Sequence, residues 1–146
     1  MNLARELVAE LLAIAIRFSG YEPISPSDVP EIIPIRSQYE YNLQACSPEE
    51  TACQRTVALF DHKKSVIFFR EDLIGDPSSS SIASSFIVHE LVHVLQYHEF
   101  GEKMFDTCQN LYFSELRAYN VQNAYLSSLG SSFKSGDVMK VFRCID

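Results

Sequence analysis

The pentapeptide His89-Glu90-Leu91-Val92-His93 combines two imidazoles with a carboxylate at a spacing that suits metal-assisted hydrolysis. On a helix, successive residues turn by about 100°, so positions four apart share a face and both histidines can grip one ion. Glu90 falls beside that face, where its carboxylate can take a proton from a water acidified by the ion instead of binding the ion itself. With four histidines and 12 glutamates in 146 residues, a random chain would show this pattern roughly 0.01 times. The spacing therefore reads as a zinc site with an adjacent base. The plainer alternative is a buried helix whose two histidines only hydrogen-bond internally.

A catalytic zinc site usually has three protein ligands and one open position. His98 lies five residues beyond His93, about 140° around the same helix, and reads as an exposed histidine near a helix end. Glu99 stands where H-E-x-x-H-x-x-G-x-x-H proteins place their last ligand, but Gln96 replaces the glycine on which their turn depends. Glu115 is the better candidate. It follows His93 after 21 intervening residues, enough to leave one helix, cross a loop and return on a second. Ala118, three positions on, would let the two helices approach closely. The competing reading of Glu115 is a solvent-facing carboxylate in a first helical turn.

Two helices must carry these residues. The turn-rich stretch from Asp76 ends in a good N-cap, so the first helix should begin near Ile82 and end before Gly101. Phe86, Ile87, Val88, Leu91, Val92, Val94 and Leu95 cover so much of its circumference that it must be largely buried. Ionisable residues at 89, 90 and 93 are costly there without a partner, which a metal supplies. Asn110 to Leu129, stopped by Gly130, reads as the second helix. Ahead of both, Leu3, Leu7, Leu11, Ile14 and Phe18 recur at steps of three and four, the mark of an amphipathic helix. Pro23, Pro26, Pro30 and Pro34 make residues 21 to 34 an extended wrapping connection and exclude a central strand there. Arg55 to Phe60 and Ser65 to Arg70 read as a hairpin around Asp61-His62-Lys63-Lys64. Gly136 to Phe142 suggests a further short helix or strand. The expected class is α+β, with helices packed on a small, mainly antiparallel sheet.

At 146 residues and 47% hydrophobic, the chain fits one domain, 1–146, with room for a real core. A net charge of −7 with 12 scattered Lys and Arg leaves no basic stripe to follow a phosphate backbone, which argues against a nucleic-acid partner. No apolar run approaches the roughly 20 residues of a membrane span, and the first helix reads as a packed surface helix instead of a signal peptide. Cys46, Cys53, Cys108 and Cys144 show no C-x-x-C spacing, so neither a zinc knuckle nor a thioredoxin-like motif is expected. Cys46 and Cys53 flank a short polar loop and can pair locally, leaving Cys108 for Cys144. Such disulfides would point to export, periplasmic or extracellular; four free thiols in a cytosolic protein are the alternative.

H-E-L-V-H-V-L-Q at 89 to 96 together with E-L-R-A-Y-N-V-Q at 115 to 122 resembles the gluzincin metallopeptidases, above all their small single-domain, minigluzincin-type relatives. The resemblance covers roughly residues 55 to 130 and is strong at the two motifs. The hairpin ahead of the HExxH motif and Cys108 ahead of the Glu115 motif fit the same pattern. It implies a zincin-like fold, one zinc ion held by His89, His93 and Glu115, Glu90 as catalytic base, and a peptide or protein substrate. Two features depart from the family pattern. Tyr119 stands four residues after Glu115, where many gluzincins carry an Asp that orients a ligand histidine. The Asn-Ala pair of their substrate-facing edge strand is missing from residues 55 to 70, and Asn123-Ala124 falls within the second helix.

The expected reaction is hydrolysis of a peptide or other amide bond, with Glu90 accepting a proton from water and passing it to the leaving amine. Tyr112, Tyr119 and Tyr125 share a helix with Glu115 and are candidate donors to the oxyanion, each with packing as its competing role. A peptide could add as a strand along an exposed edge at Ser65 to Arg70, with Phe68 and Phe69 on opposite faces and both placed in the core by default. The rival class is a non-catalytic zinc-stapled interaction domain too small for a cleft. Such a site has no use for Glu90 and closes with a fourth protein ligand. A hydrolase of a non-peptide substrate would share the reaction centre and differ only in its walls.

Overall fold

The computed structural model describes residues 3–145. In chain order its elements are α1 (Arg5–Ser19), β1 (Glu31–Ile35), α2 (Gln38–Gln44), α3 (Thr51–Gln54), β2 (Ala58–Asp61), β3 (Val66–Arg70), α4 (Glu71–Ile74), α5 (Ser81–Phe100) and α6 (Cys108–Ser128). Short 3-10 turns lie at Pro26–Asp28, Gly101–Met104 and Asp137–Lys140. The class is α+β.

Every layer meets α5. Its start is set by Ser80, whose hydroxyl accepts the Ala83 N–H at 3.2 Å. Its end is set by Gly101 in the left-handed region. Between them Ile87, Val88, Leu91, Val92 and Leu95 have no exposed surface, so the near-continuous apolar run is matched by neighbours on all sides. One core joins these residues to Leu11, Leu12 and Ala15 of α1, to Ala118, Val121 and Tyr125 of α6, and to Ile32, Ile67 and Phe69 of the sheet. A second, smaller core on the other face of the sheet gathers Ile35, Tyr41, Ala45, Cys46 and Phe68. Phe68 and Phe69 thus part to opposite faces, as the alternation of a strand requires.

The sheet differs from the expectation. Its order is β1-β3-β2, with β2 antiparallel to β3 and β1 parallel to it, from Glu31 opposite Val66 to Ile35 opposite Arg70. It is therefore mixed, not mainly antiparallel. The extended, proline-rich connection ends in a strand that its prolines conceal in the sequence, and α2 and α3 carry the chain across before the hairpin returns. Pro34 is tolerated because β1 is an edge, where a missing N–H leaves no ladder bond unmade. Ser65 to Arg70 is consequently no free edge, since β3 is the middle strand; the free edges belong to β1 and β2.

Both cysteine pairs are closed, Cys46 to Cys53 and Cys108 to Cys144. The first braces the turn between α2 and α3 under the small core. The second ties the C-terminal segment to the start of α6. Among the described residues no helix is long and apolar enough to cross a membrane.

Candidate metal centre

His89 and His93 sit one turn apart on α5, both buried, and Glu115 comes from α6 with part of its side chain open. The crossing of the two helices relies on small residues, since Ser114 and Ala118 on either side of Glu115 are fully buried. His89 Nε2 stands 3.5 Å from Glu115 Oε1, and His93 Nε2 touches the same oxygen. All three ligand atoms lie within 4.8 Å of one another. Bonds of about 2.1 Å in a tetrahedral set hold ligand atoms roughly 3.4 Å apart, so this group can hold one metal ion.

Two buried glutamines that sequence reasoning missed fix the imidazoles. Gln96 Oε1 lies 2.8 Å from His93 Nδ1, while its Nε2 donates to the Ser114 carbonyl at 3.1 Å and to the Tyr21 hydroxyl at 3.3 Å. A carbonyl can only accept, so the Gln96 amide is oriented and its oxygen must receive the His93 Nδ1–H. Gln122 does the same for His89 at 3.0 Å. Its Nε2 donates at 3.1 Å to Ser85 Oγ, whose own proton goes to the Ile82 carbonyl. With both Nδ1 atoms serving as donors, both Nε2 atoms turn toward Glu115, the orientation an ion needs.

Glu90 is buried beside this group. The Phe60 N–H of β2 donates to its Oε1 at 2.9 Å, and its Oε2 stands 3.8 Å from His89 Nε2. Burial pushes the Glu90 carboxyl above its usual range; Glu115 adds to this, and the two histidines and the Phe60 N–H oppose it. For His93, burial alone would lower the pKa, but the Glu115 charge and hydrogen bond prevail and push it up to about 9. Glu115 is held well below the usual carboxylate range, because the two histidines outweigh the effect of its burial. Tyr119 packs edge-on against His89, ring centroids 4.4 Å apart. Burial and the charges of Glu115 and Glu90 push its hydroxyl up to about 12, so it stays protonated at neutral pH. Gly136, at φ +100°, lies against the Tyr119 side chain; a Cβ there would come within 2.8 Å of Tyr119 Cγ.

Two hollows meet at Glu90 and Glu115 and run along β2. One, of about 290 Å³, is walled by Leu59, Phe60, His62, His93, Phe105 and Leu111. The other, of about 420 Å³, is walled by Ala52, Arg55, Phe86, His89, Tyr119 and Val138 among others. Arg70 N–H donates to the Val57 carbonyl at 2.7 Å. In the observed register that bond turns the main-chain groups of Ala58 and Phe60 away from β3 and toward the cleft. The Phe60 N–H already meets Glu90, which agrees with this phase.

The four residues singled out by motif and spacing, His89, Glu90, His93 and Glu115, come together. His98 is exposed, and Glu99 accepts the Glu22 N–H at 3.0 Å, away from the centre. Of the three tyrosines only Tyr119 borders the site. Tyr112 packs edge-on against Phe113 and Phe142, and Tyr125 belongs to the core. No family model, curated protein or solved structure matches the chain significantly.

Proposed function

We propose that the protein is a zinc-dependent hydrolase, gluzincin-like in its zincin-type architecture and its ligand set, that cleaves a peptide or related amide bond. The observation that carries this reading is the position of Glu90. Its carboxylate lies between a His89-His93-Glu115 group and the free edge of β2, in an open cleft. A zinc-stapled interaction domain needs neither the buried carboxylate nor the cleft.

A zinc ion bound by the three ligands would acidify a water and polarise the scissile carbonyl. Glu90 holds the transferred proton. The Phe60 N–H anchors Oε1, so Oε2 is free to take the proton from the attacking water and to return it to the leaving nitrogen. The Tyr119 hydroxyl, protonated and on the wall of the cleft, is the donor best placed to steady the developing oxyanion. The Ala58 N–H and carbonyl offer an extended substrate a pair of main-chain bonds, so β2 takes the part that sequence reasoning gave to Ser65 to Arg70. The two disulfides support an exported protein, periplasmic or extracellular.

The test is Glu90→Gln. The variant should retain one equivalent of zinc by metal analysis and lose more than about a hundredfold of its turnover on a mixed peptide library. His93→Ala should lose both metal and turnover. Turnover that survives Glu90→Gln would refute the mechanism.

A further inference from the structure

Arg55 is the only Lys or Arg in the walls of the two hollows along β2. Among the described residues it has no ion pair, and its side chain makes no hydrogen bond. Four other arginines are engaged: Arg36 with Glu71, Arg70 with Asp72 and Gln38, and Arg17 and Arg117 over the rings of Phe18 and Tyr21. The nearest acidic residue in sequence, Glu50, is committed to the Ser47 N–H and hydroxyl. Arg55 thus presents an uncompensated positive charge on a chain of net charge −7. It does so at the exposed outer end of a lobe walled also by Ala52, Phe86 and Val138, with His89, Glu90, Glu115 and Tyr119 at its inner end, where its planar fork is free to meet a carboxylate with two bonds.

The direction of β2 turns this into a statement about substrate. The strand runs from the lobe containing Arg55 toward the lobe containing His62 and Phe105. A peptide paired antiparallel to Ala58 therefore carries its C-terminal side toward Arg55. A parallel peptide would bring its cationic N-terminal side there. Arg55 is three residues before Ala58, at most about 10 Å of chain, which corresponds to two or three substrate residues beyond the one opposite Ala58. Resting on the hydrolase reading, we propose that Arg55 receives a peptide carboxylate on the leaving-group side of the cleft, so that the site selects substrates ending, or carrying an acidic residue, about two or three positions past the residue paired with Ala58. The arginine then fixes both the polarity and the reach of the bound peptide.

Full-length protein carrying Glu90→Gln binds peptide without turning it over, and the glutamine oxygen can still accept the Phe60 N–H. Fluorescein-labelled hexapeptides of one sequence, prepared as free acid and as C-terminal amide, are titrated by anisotropy with and without zinc. A second pair, both amidated, carries Glu or Ala at the penultimate position. The free acid, or the amidated Glu peptide, should bind about ten- to a hundredfold more tightly than its neutral counterpart, and the preferred pair identifies whether chain end or side chain supplies the carboxylate. Arg55→Ala should erase the preference and Arg55→Lys should keep part of it. Because Arg55 is exposed and unpaired, both variants should melt like the parent.

Equal binding within both pairs, a preference that survives Arg55→Ala, or no binding of any peptide would overturn the assignment. Cleavage of the same peptides by the zinc-loaded wild-type chain separates the two proposals. Turnover without carboxylate preference removes the role of Arg55 alone, whereas Arg55-dependent binding without turnover removes the hydrolase reading alone.

Discussion

Replacing Gln122 by Leu should weaken zinc binding by about ten- to a hundredfold although every metal ligand stays in place. Gln122 makes two bonds, accepting the His89 Nδ1–H at 3.0 Å and donating to Ser85 Oγ at 3.1 Å. Leucine is of similar volume, so little packing is lost in this fully buried position. Ser85 keeps its stronger bond, 2.6 Å to the Ile82 carbonyl. The penalty falls mainly on His89, whose Nδ1–H is left without an acceptor in a buried place, worth about 1–3 kcal/mol. An unanchored ring can also adopt the tautomer with its proton on Nε2, which blocks the nitrogen that faces Glu115 from binding a cation. A loss of ten- to a hundredfold corresponds to about 1.4–2.7 kcal/mol, within the range of one orphaned donor.

The measurement is competition for zinc against a chromogenic chelator, with thermal melts of the metal-free proteins alongside. Gln122→Glu is the informative companion, since its carboxylate accepts the same bond with charge, and with the Ser85 hydroxyl turned from the Ile82 carbonyl to donate to the second carboxylate oxygen it should bind zinc at least as tightly as the parent. A folded Gln122→Leu protein with parental zinc affinity would refute the claim that this amide orients His89. So would a Gln122→Glu protein as weak as the leucine variant.

Zinc affinity should also climb with pH. In the metal-free protein His93 holds its proton up to about pH 9, and that proton occupies the site the ion needs, so affinity should rise about tenfold per pH unit from 7 to 9 and level off above. Calorimetry in buffers of different ionisation enthalpy should show close to one proton released per ion at pH 7.5, and a flat profile would contradict the electrostatics. Tyr119→Phe should lower kcat by about 10²–10³-fold with little change in KM; a change confined to KM would make the residue a packing tyrosine. The disulfides should differ in weight. Chain entropy assigns about 4 kcal/mol to Cys108–Cys144, which spans 36 residues, and about 2.5 kcal/mol to Cys46–Cys53, which spans 7. Denaturant unfolding of the two double-alanine variants should show that order.

The grouping of His89, His93 and Glu115 was legible because its signal is local. His89 and His93 are linked by helical period alone, and Glu115 by a loop length that only a returning helix satisfies. The N-cap at Ser80 and the stops at Gly101 and Gly130 likewise lie within a few residues of what they control. What the sequence hid depends on long-range pairing. The alignment of β1 with β3 joins residues 35 apart, and neither strand announces that the proline-rich one will cover the hairpin's outer side. From that one omission followed the wrong substrate edge. Gln96 drew notice only as the residue replacing a turn glycine, though three residues after His93 it shares a face with it. Gln122 is seven residues after Glu115, two turns along one face, and a search for polar residues at that period would have found it. Tyr119 occupies the place where an orienting acid was sought; the orienting group comes from the next turn of the same helix.

A sheet of three strands has two rims, and each rim here is blunted by a different residue. Along β1, Pro34 removes a hydrogen-bond donor from the outer side. Along β2, the buried Glu90 carboxylate caps the Phe60 amide, and α5 stands close behind. Another molecule in search of a bare ribbon to extend therefore finds one rim short of a donor and the other recessed, with room for a single short guest. The carboxylate assigned to chemistry also helps keep neighbouring copies from zipping together. Its removal should therefore show first as precipitation on storage, before any substrate is added.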